Sequence, residues 1–370
     1  MPEPEQLAHW NSSRGLALEA SAAIVERIGR PAIEALALGA DPGVELKRNP
    51  RRRVARIDTP IGAVVVKGYA PDRGFERLKV LAFGNRARRE WETARAMRVA
   101  GLPVPEPWFV AEGGTPPYAS SFGASAIPGA RPLGGFLEER LASRGAFGGH
   151  AIDDLAATLD VLARMHAAGF HHRDFHGGNV LLRNGDPRDV VVIDLHRVER
   201  GRTVGIRARV EALATLLHTL RFGLGAGEFR AAIARYADVA GPLPARERFI
   251  AAVERKIERR EAARIESRSK RCVRESSEFT SVRAGGCRGW RRRAIDERVV
   301  FAAIADARDA LSRGTPAVRS LARRSSVALA IAGEATYAVK VYDGDGVRRS
   351  LRARFSEGRA GAAYRAGFAL

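Results

Sequence analysis

HHRDFHGGNVLL at residues 171–182, followed by DVVVIDLHRV at 189–198, decides how this chain is read. Asp174 precedes Asn179 by five residues, and Asp194 closes the apolar run VVVID twenty residues after Asp174. NVLL and DVVVIDL lie on either side of the turn-forming RNGDPR, which predicts a buried hairpin. Upstream, Ile152, Leu155, Leu159, Leu162 and His166 recur at intervals of three and four along one face. A helix is therefore expected to end at Gly169 and deliver the chain into the loop. One loop and its flanking strands thus carry a carboxylate, an amide and a second carboxylate.

Toward the N-terminus, VELK (44–47), RRRVARID (51–58) and AVVVKGYA (63–70) are short and rich in β-branched residues, with TPIG as a turn between the last two. They predict a small antiparallel sheet. RARREWETARAMRVAG (86–101) has helical composition, and PVPEP prevents its continuation. WFVAE and YASSFGASAI then return to strand. Residues 1–40, with LALEASAAIVERIG closed by ADPG, are expected to form a helical extension.

Toward the C-terminus, Ile206, Val210, Leu213, Leu217 and Leu220 mark a further amphipathic helix. Residues 255–315 are read as a basic helical linker, because ERKIERREAARIESRSKRCVR and CRGWRRR are densely charged. The tail repeats earlier sequence: residues 324–369 align without gaps to 51–96 at an offset of 273. Lys67 then matches Lys340, Tyr69 matches Tyr342 and Asp72 matches Asp345. No second catalytic loop follows, and the position of Glu90 is taken by Ala363.

The length of 370 residues and 45% hydrophobic content suit a two-lobed domain with an extra segment. The opening MPEPEQLAHWNSS has no basic start, and no run approaches the roughly 20 apolar residues of a membrane span, so a cytosolic protein is expected. Cys272 and Cys287 lack the spacing of a zinc site and are read as free thiols. A net charge of +20 predicts attraction to polyanions, although much of it comes from Arg scattered among Ala and Gly.

Transfer of a phosphoryl group from ATP needs cations on the phosphates and a carboxylate that orients and deprotonates the acceptor hydroxyl. Asp174 occupies the carboxylate position of H-R-D-x-x-x-x-N, and Asn179 the position that offers an amide oxygen to magnesium. Asp194, a hard oxygen ligand at a strand end, is the second candidate for Mg2+. Lys67 ends AVVVK and can meet the phosphates, held by Glu90 from the following helix, with Glu92 as a competitor for that pairing. Among the histidines, His166 is read as a core residue and His172 as a brace for the loop. His176, two residues after Asp174, is the one read as able to face the transferring phosphate or a metal-ligand carboxylate.

At these residues the chain resembles the protein-kinase-like superfamily, and within it the lipopolysaccharide core kinases that phosphorylate heptose or Kdo sugars. The strings that carry the resemblance are VELK, VVVKGY, RARREWETARAMRVAGLPVPEP, LARMHAAGFHHRDFHGGNVLL and VVIDLHRV, spanning about residues 44 to 200. The resemblance implies an α+β, two-lobed kinase-like fold with ATP held between the lobes. It assigns residues 41–130 to the small lobe and 131–254 to the larger helical lobe. It also places the backbone of Ala126, Ile127 and Pro128 beside adenine. The internal repeat, in turn, suggests that 316–370 is a partial second small lobe, expected to be noncatalytic.

Two departures refine this expectation. No G-x-G-x-x-G precedes the lysine strand, and the corresponding loop is KRNPRRR, which suggests that Arg side chains cover the phosphates. Only about a dozen residues separate Asp194 from the helix near Ile206, too few for a peptide-binding segment ending in A-P-E. The expected acceptor is therefore a phosphorylated sugar or lipopolysaccharide core, with peripheral contact to anionic inner-leaflet lipids. Nucleic acid is not expected as a partner. A minimal Ser/Thr protein kinase, another small-molecule kinase, and a noncatalytic module binding nucleic acid or membrane stand as the competing readings.

Overall fold

Alternating apolar residues in AVVVKGY and its neighbours build a seven-stranded, wholly antiparallel sheet. The computed structural model describes residues 6–40, 43–71, 84–113, 119–144, 151–220, 224, 226–241, 243, 245–284, 287–322, 325–332 and 335–342. The chain divides into two units, residues 1–257 and 258–370.

The first unit begins with strands β1 (Leu7–Asn11) and β2 (Ala17–Ser21) and helices α1 (Ala22–Ile28) and α2 (Arg30–Leu38). Strands β3 (Val44–Asn49), β4 (Arg52–Thr59) and β5 (Gly62–Tyr69), helix α3 (Arg86–Val99), and strands β6 (Pro107–Glu112) and β7 (Ser120–Ser125) follow. The sheet order is β1-β2-β6-β7-β5-β4-β3. One face packs Ile57, Val64, Val66 and Phe109 under Ile24, Ile33 and Leu36 of α1 and α2. Trp91, Ala94 and Met97 of α3 pack with Tyr69, Val110, Phe122 and Ala124 on the other. Gly123 is required in β7 because the Phe109 ring lies where its Cβ would stand.

The described residues 6–40 therefore form a two-stranded hairpin before their two helices, which corrects the expectation of a helical extension alone. Leu16, Leu18 and Ala20 are buried, while Ala17 is exposed and Glu19 partly so; this is a period of two. The turn before β2 is built by Ser12, whose Oγ accepts from Leu16 N at 3.1 Å. Glu19 then ties the hairpin to α3, accepting from Trp91 Nε1 at 2.8 Å and pairing with Arg88. Burial opposes ionisation of Glu19, but the bonds from Arg88 and Trp91 prevail and hold its pKa below the usual carboxylate range.

The helical part of the unit comprises β8 (Arg131–Pro132), α4 (Leu133–Arg144) and α5 (Ala151–Ala167). It continues through β9 (Phe170–His172), β10 (Val180–Leu182), β11 (Val190–Val192) and β12 (Val198–Arg200) to α6 (Ile206–Thr219) and α7 (Ala226–Val239). Leu155, Leu159 and Leu162 of α5 are fully buried, as their spacing predicts. Gly169 ends that helix with φ of +81°, a conformation that glycine adopts without Cβ strain. The expected hairpin forms, with Val180 opposite Val192 and Leu182 opposite Val190. β12 returns to pair with β9. Helix α8 (Arg246–Arg271) buries Phe249, Ile250 and Val253 in the core of this unit before continuing into the second.

In the second unit, the stretch read as a linker contains a hairpin, β13 (Phe279–Ala284) with β14 (Cys287–Arg292), and helix α9 (Glu297–Arg313). Polar Thr, Ser and Arg residues on these short strands hide the pattern from inspection. A three-stranded sheet follows: β15 (Val318–Ala322), β16 (Ser325–Ala332) and β17 (Ala335–Tyr342). At the offset of 273, β16 coincides with β4 and β17 with β5, residue for residue. The pairing coincides too, since Val327 faces Lys340 as Val54 faces Lys67. Hairpin, helix and three-stranded meander follow the element order of residues 7–69, with one helix where that stretch has two. Ala303, Ala307 and Ala310 of α9 pack against Ala328, Ala330 and Ala332 of β16. Asp72, Asp345 and Ala363 lie outside the described residues. Cys272 is buried.

Candidate active site

Strand parity sets the upper wall of the site. Arg52 faces Tyr69 and Val54 faces Lys67 across β4 and β5, so all four project from one side of the sheet. Helix α3 starts at Asn85, whose Oδ1 accepts from Arg88 N at 2.9 Å. Glu90 on that helix is buried; its Oε1 pairs with Lys67 Nζ, and its Oε2 accepts from Tyr69 OH at 2.7 Å. Glu92, two residues on, turns out to solvent. The structure thus selects Glu90 over its competitor.

The loop below is braced by buried His172. Its Nδ1 accepts from Asp174 N at 3.1 Å, and its Nε2 faces Ile193 O at 3.1 Å. Burial pushes the His172 pKa down to about 4, so the ring is neutral, with Nε2–H donating. Asn179 Nδ2 donates to Asp174 O at 2.9 Å, and Ile193 N donates to Asn179 O at 3.0 Å. These bonds hold Asn179 against the Asp174 loop and beside the strand end that carries Asp194. His176 accepts from Gly178 N through Nδ1 at 3.0 Å, leaving Nε2 4.0 Å from Asp174 Oδ2. Arg197 approaches that same Asp174 oxygen at 3.3 Å.

Asp194 adopts left-handed backbone, φ 64° and ψ 43°, which is uncommon outside glycine and recurs at functional sites. Its Oδ1 is met by Arg52 Nη1 at 3.0 Å, His196 Nδ1 at 3.2 Å and Lys67 Nζ at 3.6 Å. Burial opposes its ionisation, but His196, Lys67 and Arg52 together hold it far below the usual carboxylate range. Glu90, Asp194 and His196 lie close enough to share a cation. Glu90 is already committed to Lys67 and Tyr69, so the oxygen donors Asn179 and Asp194 fit a hard divalent ion better.

Lys67, Glu90, Asp174, His176, Asn179 and Asp194 all line one cleft of about 1490 Å³, large enough for a nucleotide and an acceptor. Ala126, Ile127 and Pro128 line it as well, where the chain leaves β7 for β8. Ala126 N donates to Ala63 O at 2.8 Å, and Pro128 O accepts from Asn184 N at 3.0 Å, fixing that connection. His166 is the expected core residue: it is buried, with Nδ1 2.6 Å from Tyr236 OH, and burial lowers its pKa to about 3. Four contacts were not assigned from the sequence, those of Arg52, Tyr69, His196 and Arg197. His196 and Arg197 follow Asp194 directly in IDLHR, and Tyr69 shares the face of Lys67, so adjacency was the available signal.

No curated protein matches the chain. Among solved structures, WaaP in complex with acyl carrier protein aligns at 24% identity over 65% of this chain and 98% of its own, with a TM-score of 0.49. An aminoglycoside-3'-phosphotransferase of type VIII aligns at 18% identity over 61% of this chain and 98% of its own, TM-score 0.36. Vaccinia related kinase 3 aligns at 11% identity over 68% and 85%, TM-score 0.36. Residues 77–236, which contain Glu90, Asp174, Asn179 and Asp194, match the sequence model of the lipopolysaccharide kinase (Kdo/WaaP) family. That stretch is similar to the lipopolysaccharide kinase (Kdo/WaaP) family, and the chain that carries it is a phosphotransferase of kinase-like fold.

Proposed function

We propose that this chain transfers the γ-phosphate of ATP, with Mg2+, to a sugar hydroxyl of the lipopolysaccharide inner core, on heptose or Kdo. The observation that carries the proposal is the convergence of the Lys67–Glu90 pair, Asp194 and the Asp174 loop on one cleft. Lys67 meets the nucleotide phosphates, and Glu90 holds it in place. Asn179 and Asp194 hold magnesium, which when bound offsets charge on the phosphates. Asp174 orients the acceptor hydroxyl and takes its proton, and His176 reaches toward the same carboxylate. The connection at Ala126, Ile127 and Pro128 frames adenine.

The acceptor follows from what surrounds Asp174. Between Asp194 and α6 lie only a 3-10 turn, Leu195–Arg197, and β12, which folds back onto β9. That leaves no platform for an extended peptide among the described residues of the segment. Arg197 beside the base favours an acceptor already bearing anionic groups. No described helix is long and apolar enough to cross a membrane. With a charge of +20, the protein would work in the cytoplasm and meet a lipid-linked acceptor at the anionic inner leaflet. The second unit is proposed as a noncatalytic small lobe.

Incubation of the full chain with labelled ATP and core lipopolysaccharide, free Kdo, an aminoglycoside or a basic protein tests this. Label is expected on lipopolysaccharide, and Asp174→Asn should abolish it while ATP still binds. Label on protein alone would overturn the sugar acceptor. Transfer undiminished in Asp174→Asn would overturn the assignment of the base.

A further inference from the structure

Arg52 opens β4 directly after a tight turn in which Arg51 N donates to Asn49 Oδ1 at 2.9 Å. That turn stands where a glycine-rich loop would otherwise cover the phosphates. Strand register points Arg52 into the cleft beside Lys67, and only 17% of its side chain is exposed. Its Nη1 lies 3.0 Å from Asp194 Oδ1, closer than Lys67 Nζ at 3.6 Å.

Two cationic side chains on one carboxylate oxygen is more positive charge than that oxygen needs. A divalent ion bound to Asp194 would compete for the same oxygen and repel the guanidinium. Once displaced, Arg52 has the phosphates of a bound nucleotide as its natural partner, and a planar guanidinium can grip two phosphate oxygens at once. The second unit offers an internal comparison: in the same register, with Lys340 at the position of Lys67, Ser325 stands where Arg52 does.

We propose that Arg52 is a latch on the cation position that becomes a phosphate clamp, held by Asp194 and passed to the nucleotide phosphates when metal and nucleotide enter. The proposal rests on the nucleotide-binding role of this cleft. In it, Arg52 is a binding residue that guards the cation position and takes no proton.

The test is calorimetric titration of the full chain and its Arg52→Gln and Arg52→Lys variants with adenosine, ADP and ATP, with and without Mg2+. Manganese binding in the absence of nucleotide is followed separately by electron paramagnetic resonance. Arg52→Gln is expected to bind adenosine as the wild type does, to lose about tenfold in ATP affinity, equivalent to about 1.4 kcal/mol, and to bind manganese more tightly. Arg52→Lys, which retains charge but not the planar fork, should fall between, and it also serves if the glutamine variant fails to fold. Unchanged ATP affinity overturns the clamp, and unchanged manganese affinity overturns the latch. Equal losses for adenosine and ATP would mark a merely structural residue. If the wild type binds neither adenosine nor ATP, the nucleotide reading itself fails, which is a different result from any of these.

Discussion

Removing Glu90 tests the centre of the site, because one carboxylate there serves two partners. In Glu90→Ala, Tyr69 OH loses its acceptor inside the core, at a cost of about 1–3 kcal/mol. Lys67 loses its buried partner, and breaking a buried ion pair costs about 3–5 kcal/mol when the remaining charge is stranded. Here it is not stranded, since Asp194 Oδ1 lies 3.6 Å away and can accept more of the lysine. The two effects together should therefore come to about 3–4 kcal/mol rather than their full sum. In a unit of this size each kcal/mol lowers the melting temperature by about 2–4 °C, so a drop of about 6–16 °C is expected. Glu90→Gln keeps an acceptor for Tyr69 and fills the space, and should lose less than half as much. With Lys67 drawn toward Asp194 and off the phosphates, phosphate transfer should fall about a hundredfold. Melting curves of both variants and initial transfer rates are the assays. A Glu90→Ala protein that melts within 2 °C of wild type would refute the energetic reasoning. One that melts early but transfers phosphate normally would refute the role of the pair in placing Lys67.

Two further outcomes follow from packing and titration. His166 and His172 have pKa values pushed down by burial to about 3 and about 4, against about 6.5 in an unfolded chain. The unfolded state therefore binds more protons, and the stability they confer is complete above about pH 6.5 and lost as pH falls toward 4 and 3. Near pH 5 the two histidines should contribute a slope of about 2.7 kcal/mol per pH unit, measurable as a falling urea midpoint. The slope should flatten by about half when one of them is replaced by Asn in a protein that still folds. Gly123→Ala drives a methyl into the Phe109 ring and should cost about 1–3 kcal/mol in thermal melting, partly recovered by adding Phe109→Leu.

How far the site could be read in advance depended on how local its parts are. Asp174, Asn179 and Asp194 are fixed by short-range spacing around a hairpin whose strands are uniformly apolar, and the structure brings them to one cleft. Lys67 was legible as the lysine that ends an apolar strand, and Glu90, with Glu92 as its competitor, as a carboxylate on the helix that follows. The N-terminal hairpin was not, since LALEASAAIVERIG contains both a period of two over Leu16, Leu18 and Ala20 and good helix formers after it. Alanine and glutamate carry little strand preference, so pairing with β6 decides the outcome. Arg52 was visible only as one of several arginines in KRNPRRR. Register across the turn, set by tertiary pairing, singles it out.

The two copies of the small-lobe scaffold show which residues the fold requires and which the chemistry requires. On the face under the helix, Ala330, Tyr337 and Val339 stand where Ile57, Val64 and Val66 stand in the first unit, so that face of the sheet stays mostly apolar. Any residue of suitable size serves there, because burial is roughly proportional to apolar area. On the opposite face, Lys340 is retained, but Arg52 becomes Ser325, and the aligned position for Glu90 is Ala363. Lysine alone is a common strand residue whose methylenes pack while its charge reaches solvent. What gives Lys67 its role is the set of anions arranged around it: Glu90 on one side, Asp194 on the other, with Arg52 balancing the second. On the proposal that the second unit is a noncatalytic small lobe, a copy that keeps the strands and the lysine yet changes the positions of Arg52 and Glu90 keeps the scaffold and leaves phosphate transfer to the first unit.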